Sequence, residues 1–163
     1  MQINNVALLS IKPDFARPIL EGSKTFEFRK VRIKKKIDYM LIYASSPIKA
    51  LVGFAEIESI IEGKPVYLWE VAGTAGGISS KDFDSYFHNK NMGFAIKIKK
   101  IYKFDSNIDP YKIIDNFVPP QSFMYIDNKK VEKILKKVGL NEEFNFRWRN
   151  SRSGQNKLLQ QIS

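Results

Sequence analysis

A chain of 163 residues with 27 Lys and Arg against 17 Asp and Glu, a formal net charge of +10, is one domain's length and is predisposed to polyanionic partners. Its 44% hydrophobic content supplies a core, the absence of cysteine removes disulfides, thiolate metal sites and thiol nucleophiles, and a single histidine, His88, leaves little for imidazole chemistry. No apolar run approaches the ~18 residues of a spanning helix, and the start Met-Gln-Ile-Asn-Asn carries no charged leader, so a cytoplasmic protein without a membrane partner is expected.

The run Val6 to Ile11 suits a buried strand closed by Lys12-Pro13. Pro13 at a first helical position, Asp14 in the first turn, and Phe15 with Ile19 on one side predict a helix that Gly22 ends, with Pro18 as an interior defect. Gly22-Ser23-Lys24-Thr25-Phe26-Glu27-Phe28-Arg29 then reads as a turn entering a short strand. Alternation places Thr25, Glu27 and Arg29 on one face and Phe26 and Phe28 on the other, so one face is anchored in a core and the other is offered to a ligand. From Arg29 to Lys36, six of eight residues are Lys or Arg. This tract is either a solvated loop or edge protected by charge, or a phosphate-contacting surface formed by Lys30, Arg32, Lys34, Lys35 and Lys36.

Strands over 37–44 and 48–61 follow, separated by the turn residues Ser45-Ser46-Pro47, with Tyr39, Leu41 and Tyr43 on one face and Met40, Ile42 and Ala44 on the other. A short helix over 66–71 precedes Gly73-Thr74-Ala75-Gly76-Gly77, which lacks the Gly-Lys-Ser/Thr ending of a phosphate loop and reads as a mobile connection. Ser79 or Ser80 caps a helix running to Phe87, and His88 at its end reads as a surface or capping residue. Residues 93–104 form the clearest strand, Phe94, Ile96 and Ile98 alternating with Ala95, Lys97 and Lys99. Asp109-Pro110 starts a helical turn and Pro119 to Phe123 is an extended loop. Asn128 caps a last helix whose Val131, Ile134, Leu135 and Val138 share a side, and Gly139 stops it. Beyond it, Phe144, Phe146 and Trp148 alternate with Asn145, Arg147 and Arg149, a pattern open to base stacking or to packing as an edge strand, ahead of a loosely ordered polar end.

Four stretches occur in sequence: Ser10-Ile11-Lys12-Pro13, the Gly-x-Lys-x-x-Glu-x-Arg pattern of Gly22, Lys24, Glu27 and Arg29, Tyr43-Ala44-Ser45-Ser46-Pro47, and Pro120-Gln121-Ser122-Phe123. Together, over about residues 3 to 127, they resemble the ASCH family of the PUA-like superfamily. The resemblance implies an α+β fold, a PUA-like mixed and mostly antiparallel β-barrel flanked by helices, occupying residues 1–127. Residues 128–163 would be a C-terminal helix and a basic aromatic extension packed on or beside the barrel. It also implies binding of RNA, or of a nucleotide or modified nucleoside, in a charged cleft beside the Gly22 to Arg29 motif, with a regulatory role compatible with that binding.

Within such a cleft Lys12, Lys24, Glu27, Arg29, Ser45, Ser46 and Tyr125 are the expected ligand contacts. Arg29 can grip a phosphate bidentately, or it can be spent on an internal pairing with Glu27 that braces the strand. The alternative to pure binding is a metal-independent ribonuclease, in which Tyr43, Lys49 and Ser122 carry the chemistry by proton transfer and charge stabilisation. Some ASCH relatives are amidohydrolases that use a lysine and a threonine three residues later. Lys24 matches that lysine but Glu27 stands where the hydroxyl belongs, with Thr25 one residue after the lysine, which argues against the same mechanism. No metal or other cofactor is called for, and the oligomeric state is open.

Overall fold

The computed structural model describes residues 5–139; the expected aromatic and basic extension beyond Leu140 lies outside the described residues. Six strands form one curled sheet: β1 (Val6–Ile11), β2 (Phe26–Arg29), β3 (Tyr39–Ala44), β4 (Ala50–Gly63), β5 (Gly93–Ile108) and β6 (Phe123–Tyr125), in the order β2-β5-β4-β3-β1-β6. Only β1 and β3 run parallel; every other neighbouring pair is antiparallel. Helices α1 (Pro13–Glu21), α2 (Pro65–Ala72), α3 (Ser80–Tyr86) and α4 (Asn128–Lys137) flank the sheet, giving the mixed α+β architecture implied by the resemblance. None of the described helices is long and apolar enough to cross a membrane.

Strand alternation sorts the core into layers. Tyr39, Leu41 and Tyr43 of β3 face one cluster together with Val131, Ile134 and Leu135 of α4. Met40, Ile42 and Ala44 face a second, with Ala16 and Ile19 of α1. Phe26 and Phe28 of β2 lie in a third with Phe83 and Phe87 at α3 and Leu68 and Ala72 of α2. Each side chain buried in full contributes about 1.5–3 kcal/mol, so these contacts decide where the helices sit. The long strands β4 and β5 shift register at three places, at Leu51/Gly53, Glu56/Ile57 and Ile57/Ser59. Such bulges bend a strand and increase its twist, which is how two strands of this length follow a curled sheet.

Local signals hold with small changes. Gly22, at φ 84°, ends α1 despite Pro18 within it, and the Ser79 hydroxyl accepts the Asp82 amide at 3.1 Å to start α3. The cap of α4 is Asp127, whose carboxylate accepts the Lys130 amide at 2.9 Å, while Asn128 is the buried first helical residue. The clearest strand continues past Phe104 to Ile108 because its pairing with β4 extends to Leu51.

The glycine cluster is not a loose connection. Gly73–Gly76 forms a 3₁₀ turn lying on β2, where the Thr25 amide donates to the Ala75 carbonyl at 2.9 Å. A Cβ at Gly76 would overlap the Phe28 ring, and one at Gly77 would stand 2.9 Å from Lys24 Cδ. These glycines are there for close approach of backbone to β2.

A candidate nucleic-acid cleft

The parallel pairing of β1 and β3 brings the C-terminal ends of both strands to one edge: Ser10 is opposite Tyr43 and Ile11 opposite Ala44. Lys12 leaves β1 there, and the Ser45 amide donates to the Ile11 carbonyl at 3.0 Å. On the other side of β1, Leu9 pairs with Phe123, so the preceding Ser122 lies beside Ser10, whose amide donates to the Ser122 carbonyl at 3.0 Å. The Ser10 hydroxyl donates to Pro120 at 2.6 Å and holds the proline loop against the strand.

These elements open on a cleft of ≈ 710 Å³. Lys12, Glu27, Arg29, Tyr43, Ser45, Ser46, Lys49 and Ser122, all expected from the sequence, line it. Lys30 also lines it, its Nζ 4.3 Å from the centroid of the Tyr86 ring. Four cations against the single carboxylate of Glu27 make the wall positive, which suits a phosphodiester backbone.

Glu27 and Arg29 on the polar face of β2, with Lys24 just before the strand, form a buried ionic cluster. Lys24, Glu27 and Arg29 are only 3%, 6% and 8% exposed. Glu27 lies 3.2 Å from Lys24 Nζ and 3.5 Å from Arg29 Nη1. Lys24 Nζ also donates to the Gly76 carbonyl. Arg29 is anchored further: Nη1 donates to the Ser10 carbonyl at 3.1 Å, and Nη2 to both the carbonyl and the hydroxyl of Ser122 at 2.8 Å. Two cations around one carboxylate leave an excess positive charge beneath the cleft, yet the terminal nitrogens of Arg29 are engaged by protein acceptors. The internal bracing is therefore real, and its reach goes beyond the strand to β1 and the proline loop.

Tyr43 is 2% exposed. Burial first, then the nearby acidic groups of Tyr111 and Asp109, hold its phenol above the ordinary tyrosine range, so at neutral pH it is a proton donor. Lys49 sits in the turn after β3 with φ 51°, a left-handed conformation that costs a non-glycine residue about 1–2 kcal/mol. Such outliers cluster where function needs a side chain aimed. Among the described residues no three His, Cys, Asp or Glu side chains converge as metal ligands.

The sequence family described as "Domain of unknown function (DUF365)" matches residues 10–118. A protein of Zymomonas mobilis subsp. mobilis named "ASCH domain-containing ribonuclease" is 31% identical over 132 residues, spanning 79% of this chain and 89% of its own. The chain belongs to the ASCH domain family.

The crystal structure of ASCH from Zymomonas mobilis matches with a TM-score of 0.77 and 28% identity over 82% of this chain and 96% of that one. Two further structures of ASCH variants from that organism, one with a tyrosine-to-phenylalanine and one with a serine-to-alanine substitution, match with TM-scores of 0.76 and identities of 28%, covering 81% and 83% of this chain and 97% and 98% of theirs.

In this ASCH domain two expected ligand contacts lie elsewhere. Lys24 points under the 3₁₀ turn and is not part of the cleft wall. Tyr125 accepts the Lys35 amide at 2.9 Å and also lies outside that wall. The basic tract divides: Lys30 faces the cleft, whereas Arg32, Lys34, Lys35 and Lys36 line a separate groove. Conversely, Phe15, Tyr86 and Tyr111 line the cleft of the ASCH domain without having been expected there. Tyr86 carries helical amphipathicity toward the core, which concealed its second role, and nothing local marks Tyr111, which the short turn Pro110–Lys112 brings to the rim.

Proposed function

We propose that this ASCH domain binds single-stranded RNA in the cleft and cleaves it there. The observation that carries the reading is the convergence of Tyr43, Lys49 and Ser122, three chemically complementary groups from three separate elements, on one positive cleft. The relative named a ribonuclease supports it, and the Zymomonas variants were made at a tyrosine and a serine, the hydroxyl types that accompany Lys49 here.

Lys12 and Lys30 attract the backbone, and the exposed ring of Tyr111 at the rim offers a stacking surface for a base. The strand's own 2′-hydroxyl attacks the adjacent phosphorus and loses its proton to solvent, the P–O5′ bond breaks, and the products are a cyclic 2′,3′-phosphate and a free 5′-hydroxyl. Lys49 offsets the charge that gathers on the phosphorane oxygens. Ser122, whose oxygen already accepts from Arg29, has its hydroxyl proton left to donate to a non-bridging oxygen. Tyr43, kept neutral, protonates the departing O5′. Glu27 is held between Lys24 and Arg29, so its part is to position Arg29. A divalent ion, where one takes part, would be carried on the RNA phosphates, because the cleft's one carboxylate is already engaged. The amidohydrolase reading loses support, since Lys24 Nζ is committed to Gly76 and Glu27.

End-labelled single-stranded RNA, incubated with magnesium and separately with chelator, tests the reading. Cleavage should fall about a hundredfold in Tyr43→Phe, the scale of a lost general acid, and comparably in Lys49→Ala, with Ser122→Ala also impaired. Unchanged cleavage in all three folded variants would remove these residues from the chemistry, whereas intact RNA after incubation with the unsubstituted chain would leave a binding domain.

A further inference from the structure

The loop 30–36 contributes to two hollows. Lys30 and Val31 line the cleft; Arg32 to Lys36 line a groove of ≈ 370 Å³ together with Ile57 to Ile60 of β4. The loop is pinned on both flanks. Arg32 pairs with both carboxylate oxygens of Glu62, Nη1 to Oε2 at 2.7 Å, and its guanidinium lies 5.1 Å from the Phe94 centroid. The Lys35 amide donates to the Tyr125 hydroxyl at 2.9 Å, and its Nζ stands 4.8 Å from the centroid of the same ring.

Three carboxylates also line the groove, and each is already occupied. Glu62 holds Arg32, Glu58 holds Lys97 at 2.6 Å, and Asp38 accepts from Asn5 at 3.0 Å with Lys36 4.0 Å away. Among the described residues no carboxylate pairs with Lys34 or Lys35. Two lysines without a carboxylate partner, Lys34 and Lys35, therefore stand on an anchored loop that lines the hollow, with Ser59 also in its wall. A loop fixed at both ends has less conformational freedom to lose on binding an anion than a free basic tail.

We propose that this groove is a second phosphate-binding subsite that takes the backbone of the same RNA strand a few nucleotides from the one held in the cleft, so that the protein selects oligonucleotides over mononucleotides. This rests on the reading of the cleft as an RNA site. From Val31 to Lys34 the chain spans at most about 10 Å, roughly three stacked nucleotides. A strand that crosses the loop there meets Lys30 on one side and Lys34 and Lys35 on the other.

The test uses uncleavable 2′-O-methyl oligonucleotides, a dinucleotide and an octanucleotide, with affinity read by fluorescence anisotropy across a salt series on the full chain. The octanucleotide should bind roughly tenfold tighter or better, and Lys34→Ala/Lys35→Ala should abolish most of that margin. The salt slope should also fall by about 1.4, two contacts at ~0.7 each, while dinucleotide affinity stays unchanged. Both lysines are exposed and the anchoring amide of Lys35 is main chain, so the variant keeps its fold. An equal loss for both ligands, or none, overturns the second subsite even if ribonucleotide RNA is still cleaved in a Tyr43-dependent way. Length-dependent binding without cleavage removes the catalytic reading and leaves the subsite standing. No binding of either ligand overturns both.

Discussion

Arg29 Nη2 lies 2.8 Å from both the carbonyl and the hydroxyl of Ser122, joining β2 to a loop 93 residues away in the chain. Its other terminal nitrogen reaches Ser10 on β1. One side chain therefore ties two non-adjacent strands and the proline loop together under the cleft, and it does so with a charge whose counter-ion, Glu27, is two residues away. The cost of burying that charge is offset by the number of its acceptors.

Removing the guanidinium strands all of them. Arg29→Ala should cost about 3–5 kcal/mol in urea unfolding, the range for breaking a buried ion pair from one side, and Arg29→Lys should recover only part of it because one ammonium cannot span Ser10 and Ser122 together. A loss below about 1 kcal/mol in the alanine variant would mean that water replaces the guanidinium at little cost.

Two glycines offer a paired comparison. Gly76→Ala places a methyl in the Phe28 ring, whereas Gly22, left-handed at φ 84°, has open space around it. The first should cost more than the ~1–2 kcal/mol of left-handed backbone strain expected for Gly22→Ala, because ring and turn must both shift. Thermal melts that rank the two the other way would refute the packing argument.

Stability should weaken in alkali. Burial, the leading cause for each, raises the Tyr43 and Tyr86 phenols above the ordinary value in the folded chain. The unfolded chain then releases those protons first, near pH ~10, so the contribution is complete below that pH and is lost as pH rises through the folded-state values. Tyr43→Phe should flatten the fall in urea midpoint above pH ~10; an identical fall in the variant would show that other groups carry it.

Tyr111 is 55% exposed, its ring packed edge-on to Phe117 at 5.2 Å. Tyr111→Ala should weaken RNA binding by about 1–3 kcal/mol, the worth of one stacked base, with little effect on the melting temperature. Equal affinity in anisotropy titrations would assign stacking to another ring of the cleft.

Much of the local structure was legible. The two faces of β3, the ends of α1 at Pro13 and Gly22, and the apolar side of α4 follow from periods of two and 3.6 residues, which are properties of the chain and need no knowledge of its neighbours. The cleft residues that sit in the family's own stretches, Lys12, Tyr43, Ser45 and Ser122 among them, were legible for a different reason: their stretches resemble those of the ASCH family.

What only the tertiary structure decided is where the long side chains end. Lys24 lies in the same motif as Arg29, yet its ammonium goes under the turn to Gly76, and Tyr125, along the strand that follows Ser122, anchors the basic loop instead of lining the cleft. The glycine cluster has the composition of slack chain, but Phe28 packs directly against Gly76. In each case the partner is supplied by a distant segment through the strand order β2-β5-β4-β3-β1-β6. A local pattern specifies which face a residue is on; which buried acceptor satisfies its charge depends on what the sheet places across from it, because a desolvated charge must find its partners wherever the fold brings them.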